Sequence, residues 1–141
     1  MPELLSFDYA VIRVVPRAER EEFINAGVIL FCPQGQFLGG RIHLNEDRLQ
    51  ALWPEVDTTL VRQHLEAFER VCAGDGSAGP IAQLSIRERF HWLVAPRSTL
   101  IQVSPVHSGL CDDSERELDR LMRATVLLPT NAAVSPPGES K

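Results

Sequence analysis

The sequence predicts an α+β domain. It expects a mostly antiparallel sheet of four to five strands that begins with a three-stranded meander, with two to three helices packed on one face. Three observations carry the prediction. Short β-branched runs bounded by turn residues open the chain, helix-period apolar stripes with capping residues fill its middle and end, and no regular strand–helix–strand alternation joins them.

Tyr9 to Val15 alternates as a strand, with Tyr9, Val11, Arg13 and Val15 on one face and the apolar Ala10, Ile12 and Val14 on the other. After a charged link, Phe23 to Cys32 forms a second strand, buried on both sides in its last half. Gly27 within it predicts a bulge or a close backbone approach. Pro33 to Gln36 is a turn, so Phe37 to Leu44 returns as the third strand, and the adjacent Gly39 and Gly40 mark it as twisted or as an edge.

Asn45 predicts a cap on a short helix through Leu49, Leu52 and Trp53, halted by Pro54. Asp57 predicts a cap on a longer one to about Cys72, with Leu60, Val61, His64, Leu65, Phe68 and Cys72 as its buried stripe. Ala73 to Pro80 is a glycine-rich loop. Ile81, Leu84 and Ile86 fit neither period, so the sequence leaves 81–95 open, with a strand near Gln83 to Arg87 as one reading. Thr99 to Val103 reads as a further strand, and Asp112 to Glu115 has the spacing of an acidic cap on a last helix carrying Leu118, Leu121, Met122 and Thr125.

At 141 residues and 44% hydrophobic content, the chain suits one globular domain, expected over residues 1–128. The Pro-, Ser-, Ala- and Gly-rich stretch 129–141 offers too little apolar surface to offset its ordering entropy and is expected to be a disordered tail. The net charge of −5 gives no basic surplus for phosphates, so no nucleic-acid partner is expected. The N-terminus lacks a basic leader, and no run approaches a membrane span of about 20 apolar residues. With three scattered cysteines, a reducing, cytoplasmic location is the expectation.

Chemistry-bearing residues concentrate between Pro96 and Cys111. Arg97, Ser98, Thr99 and His107 there supply an arginine fork, two hydroxyls and an imidazole, a set that suits an oxyanion. The ordinary account is an arginine paired with a carboxylate and a turn with local side-chain bonds, since no Gly-x-Ser-x-Gly or phosphate-loop motif is present. His43, His64, His91 and His107 lack ligand spacing with one another or with the cysteines, so no metal and no cofactor is expected. His64, on its apolar stripe, reads as a core histidine.

Asn25 sits in an otherwise apolar strand and must find a partner for its amide or leave a costly unsatisfied group. Arg13 interrupts the first strand and is followed by Arg17 and Arg20. A cross-strand pair of Arg13 with Glu21 or Glu22 is the ordinary account; a basic strip facing a partner, which makes Arg13, Arg17 and Arg20 interaction candidates, is the sharper one.

The runs Tyr9 to Pro16, Arg20 to Pro33 and Arg89 to Thr99, with His107-Ser-Gly109, resemble a bacterial family catalogued as the domain of unknown function numbered three thousand and thirty-seven. The likeness extends to about Leu128. It implies a HipA-like kinase as a partner and supplies no catalytic residues; Asn25, Gly27, Arg97, Ser98, Thr99, His107 and Gly109 are the matching positions.

Two readings follow. The first is a small non-enzymatic, protein-binding or regulatory module using the sheet face or the arginine-bearing edge, with an exposed apolar patch rimmed by arginine as its mark. The second is a small-anion or nucleotide-binding protein, or an enzyme, whose site is Arg97, Ser98, Thr99 and His107 with Asn25 arriving from the next strand; its mark is a pocket where Arg97 and His107 converge.

Overall fold

The computed structural model describes residues 3–97 and 99–128; the expected tail, and Ser98, lie outside them. The meander is present as β1 (Leu5–Val14), β2 (Ile24–Cys32) and β3 (Phe37–Ile42), joined antiparallel in that order. The β2–β3 turn closes with the Gln36 amide donating to the Pro33 carbonyl at 3.0 Å. Gly27 meets both expectations. The register slips where Ile12 faces Gly27 and Arg13 faces Asn25, and a Cβ on Gly27 would lie 2.5 Å from the Arg41 carbonyl oxygen.

The other edge of β1 carries two short strands laid end to end. β4 (Ile101–Val103) pairs with Ile12 to Val14, and β5 (His107–Cys111) pairs with Leu5 to Tyr9, giving a five-stranded antiparallel sheet with β3 at its far edge. The step from Ile12 to Tyr9 on β1 is matched by the longer step from Val103 to His107, so one extra residue is accommodated at Ser104 to Val106. The turn expected around Ser108 and Gly109 is therefore a strand.

Helices α1 (Glu46–Leu52) and α2 (Thr58–Ala73) begin on the predicted caps, Asn45 accepting from the Arg48 amide and Asp57 from the Leu60 amide. The stretch that the sequence leaves open, where a strand near Gln83 to Arg87 is one reading, is a 3-10 turn, Pro80–Gln83, leading into α3 (Ile86–Val94). Ser85 and Glu88 form a reciprocal capping box there, which satisfies two helix-start donors and fixes the helix. The last helix, α4 (Ser114–Thr125), is capped by Asp113, one residue later than the expected Asp112.

The fold class is the predicted one, but the described residues hold four α-helices, divided between both sheet faces. Val61, Leu65, Phe68 and Val71 of α2, with Leu49 of α1 and Phe90 and Leu93 of α3, bury Ile12, Val14, Ile24, Ala26, Ile29 and Phe31. Leu118, Leu121 and Met122 of α4 cover the opposite face, burying Phe7, Val28, Leu30, Cys32 and Cys111. The glycine pair in β3 makes this double cover fit. A Cβ on Gly40 would lie 2.6 Å from Cys72 Sγ on α2, and one on Gly39 would lie 3.1 Å from Leu118 on α4. His64 and Leu60, expected in the buried stripe of α2, are exposed instead.

Candidate functional site

The predicted site residues are placed apart, and each is held by its own neighbourhood. Arg97 lies just beyond α3 and closes that helix, its two Nη groups donating to the carbonyls of Leu93 at 2.8 Å and Trp92 at 2.9 Å. Its guanidinium stacks 5.0 Å from the Phe68 ring and 5.1 Å from the Trp92 ring. Burial lowers its pKa from the ordinary arginine value. The carboxylate partner of the ordinary account is replaced by backbone carbonyls and aromatic faces.

Thr99 turns inward on its own chain, its hydroxyl donating to the Ile101 carbonyl at 2.9 Å. His107 is exposed at the start of β5, its ring 5.2 Å from that of its cross-strand partner Tyr9. Asn25 Nδ2 donates to the Thr125 carbonyl at the end of α4, at 2.9 Å, while its Oδ1 is buried without a partner. None of five well-formed depressions among the described residues is lined by Asn25, Arg97, Thr99 or His107.

The arginine strip is equally dispersed. Arg13 faces Asn25 on one side and Gln102 on the other, not Glu21 or Glu22, and its guanidinium lies 4.2 Å over the Phe23 ring. Its Nε is buried without a partner. Arg17 pairs with Glu19 and stacks 4.6 Å over Trp53, and Arg20 pairs with Glu22 at 2.6 Å. Such exposed pairs contribute little stability, but they neutralise the strip locally.

Sequence reasoning counts Ser104 only among the hydroxyls near His107 and misses its structural role; at 4% exposure it is the buried polar residue of the described fold. The Val11 amide donates to its Oγ at 2.8 Å, its own amide donates to the Val11 carbonyl at 2.8 Å, and its hydroxyl donates to the Pro105 carbonyl at 2.9 Å. Where the bulge carries the strand backbone away from β1, this hydroxyl stands in for the missing carbonyl. The following Pro105, which has no N–H, was the available signal.

All three cysteines are buried, and burial pushes the Cys72 thiol up to about 12 and raises that of Cys111. A thiol is a nucleophile only as thiolate, so both are inert near neutral pH. Among the described residues no group of three His, Cys, Asp or Glu side chains is placed to hold a metal ion, and no helix is long and apolar enough to cross a membrane.

What the fold leaves open is a sheet margin. Along β1 and β5, Leu5 and Cys111 point into the α4 core, so Leu4, Ser6, Ser108 and Leu110 alternate to the other face. Helices α1 to α3 cover that face only over its other part. Ser6 and Ser108 are exposed here, Leu4 is 60% exposed, Leu110 63% and Val106, just before β5, 43%. Ser108 donates to Asp8 across the strand pair at 2.7 Å. Leu4 and Leu110 also border a depression of about 300 Å³ whose wall carries charges of both signs, Arg116, Arg120 and Arg123 beside Asp112, Asp113 and Glu117, with Arg120 paired to Glu117 at 2.6 Å.

Fold and surface together define a small α+β domain with helices on both sides of an antiparallel sheet and, among the described residues, an uncovered margin bordered by charged side chains of both signs. The chain belongs to the family described as protein of unknown function (DUF3037), whose model matches residues 9–126. No curated protein and no solved structure matches it. The residues that carry the likeness have structural work in this fold. Gly27 admits the Arg41 carbonyl, Gly109 lies where a Cβ would meet the Phe7 ring at 2.8 Å, and Arg97 closes α3.

Proposed function

We propose that this protein is a non-enzymatic interaction module that docks a protein partner on the bare margin of β1 and β5. The observation that carries the reading is the exposure of Leu4, Val106 and Leu110 on one face, with Leu4 and Leu110 reaching round the edge to the charged side chains of both signs at the start of α4. Apolar side chains clustered on a strand edge and rimmed by charge are the usual form of a docking surface, with the leucines as anchors and the charged side chains as rim. The hydrogen bonds already made by Arg97 and Thr99 leave an anion little to gain there, which is why the binding-module reading is preferred.

The first partner to test is a HipA-like kinase, as the family resemblance implies, with the module acting as its regulator in the cytoplasm. Calorimetric titration of the full chain into a kinase of that class from the same host tests this. The expected result is saturable binding that Leu4→Glu and Leu110→Glu each weaken at least about tenfold, or about 1.4 kcal/mol. Binding that both variants leave unchanged overturns the surface, and absence of binding overturns this partner.

A further inference from the structure

We infer that β5 is a self-pairing edge: two copies of the chain join antiparallel through β5 about a twofold axis at Ser108, fusing two five-stranded sheets into one and merging their bare margins into a single trough. The inference goes beyond the docking proposal, because it rests on the backbone edge of β5 and not on the side chains of the open face.

The direction of the free backbone groups follows from β1. The Val11 amide and carbonyl both turn toward Ser104, and the Val15 amide donates to the Leu100 carbonyl, so the odd-numbered residues of β1 bond toward the β4 and β5 side. With the observed register, Tyr9, Phe7 and Leu5 then form the hydrogen-bonded pairs with His107, Gly109 and Cys111. Ser108 and Leu110 are left with their amides and carbonyls directed outward. No strand lies on that side among the described residues.

Of the registers those outward groups allow, an axis at Ser108 pairs Val106, Ser108 and Leu110 among themselves. With the axis at Ser108, Ser108 exchanges both backbone bonds with its own copy, and Leu110 does so with Val106 of the other chain. His107 then stands opposite Gly109, where no side chain competes for the space. Every cross-strand pair is compatible: apolar with apolar, hydroxyl with hydroxyl, ring with glycine. Charge is compatible too, because Val106 to Cys111 contains no Asp, Glu, Lys or Arg, and a twofold axis opposes no like charges.

The usual protections of an edge strand are missing on this side alone. β3, the opposite edge, has Arg41 tied to Glu115 at 2.7 Å and to Asp119 at 3.5 Å, and helices close against both of its faces. β5 has no Lys, Arg, Asp or Glu, and among the described residues no helix covers its outer side; only Pro105 limits its length. An axis perpendicular to the sheet keeps the open faces of both copies on one side. Leu4, Val106 and Leu110 of each copy then lie on the floor of one trough. The shared edge is short, so the dimer is weak, with a dissociation constant of roughly 10–100 μM.

Sedimentation velocity of the full chain from about 10 to 500 μM tests the inference through the concentration dependence of mass. Wild type is expected to pass from monomer to dimer over that range. Ser108→Pro removes the outward amide at the axis without touching the β1 ladder and is expected to remain monomeric, whereas Ser108→Ala retains the amide and dimerises. Ser108→Cys places two Cα atoms about 5.5 Å apart across the axis and is expected to form a disulfide-linked dimer on mild oxidation.

Monomeric wild type throughout, a folded Ser108→Pro variant that dimerises like wild type, or a Ser108→Cys variant that does not cross-link each overturns the proposal. If Ser108→Pro does not fold, the cross-link decides. Leu4→Glu separates the two readings, since Leu4 lies outside the β5 pairing. It is expected to dimerise normally while losing the partner, and a chain that never dimerises but still binds the kinase overturns this inference alone.

Discussion

Ser104 and Val11 exchange two hydrogen bonds of 2.8 Å, one through the Ser104 amide and one through its hydroxyl, so a side-chain oxygen serves as a rung of the β1 ladder. The two residues are 93 positions apart in the chain. Their contact bridges the bulge that lets β4 and β5 share one edge of β1 despite a one-residue mismatch.

Ser104→Ala is expected to destabilise the fold by about 1–3 kcal/mol, because the Val11 amide is then buried without an acceptor. Urea unfolding monitored by circular dichroism measures it, with Ser108→Ala, an exposed hydroxyl, expected to change stability by less than about 0.5 kcal/mol. Equal midpoints for the two variants contradict the role assigned to Ser104.

Arg97 acts on α3 and on the aromatic pair beneath it. Arg97→Ala is expected to cost about 1–2 kcal/mol through the lost carbonyl bonds and the lost cover over Phe68 and Trp92. Arg97→Lys is expected to recover only a minor part, since a single ammonium has neither the fork for two carbonyls nor a plane to stack. Denaturation midpoints of the two variants against wild type settle the point, and full rescue by lysine contradicts the geometry.

Burial of Cys72 gives a pH dependence on the alkaline side. Its thiol ionises at about 12 in the folded protein and at about 8.5 in an unfolded chain, so between those values the folded state holds a proton the unfolded state has lost. Stability is full below about pH 8.5 and falls as pH rises toward the folded value, by up to about 1.4 kcal/mol for each pH unit. Urea unfolding at pH 7.5, 9 and 10 checks the slope, which Cys72→Ala is expected to flatten. A slope identical in the variant assigns the effect elsewhere.

Much of the first half was legible because its signals are local. The alternation of β1, the Pro33 to Gln36 turn, and the caps Asn45 and Asp57 each act through bonds within a few residues, and each is found where the sequence places it. The bulge at Gly27 was legible for the same reason, since a glycine in a buried strand has few other uses. Helix α3 was not legible although Ser85 and Glu88 spell a capping box, because Ile81, Leu84 and Ile86 straddle a 3-10 turn and a helix and share no single period.

By itself, the sequence determined the α+β class, the opening meander, the helix starts at Asn45 and Asp57, and the membership that its motif runs suggested. Tertiary structure decided what depends on distant partners. It paired β5 with the first residues of β1, placing Ser108 beside Asp8 across 100 positions of chain, and sent α4 to the face opposite α2. It also dispersed Arg97, Thr99, His107 and Asn25 onto separate supports and left Leu4 and Leu110 bare. The physical reason is that caps and turns are closed by neighbours in sequence, whereas strand pairing and face coverage are closed by surfaces that meet only when the chain has folded.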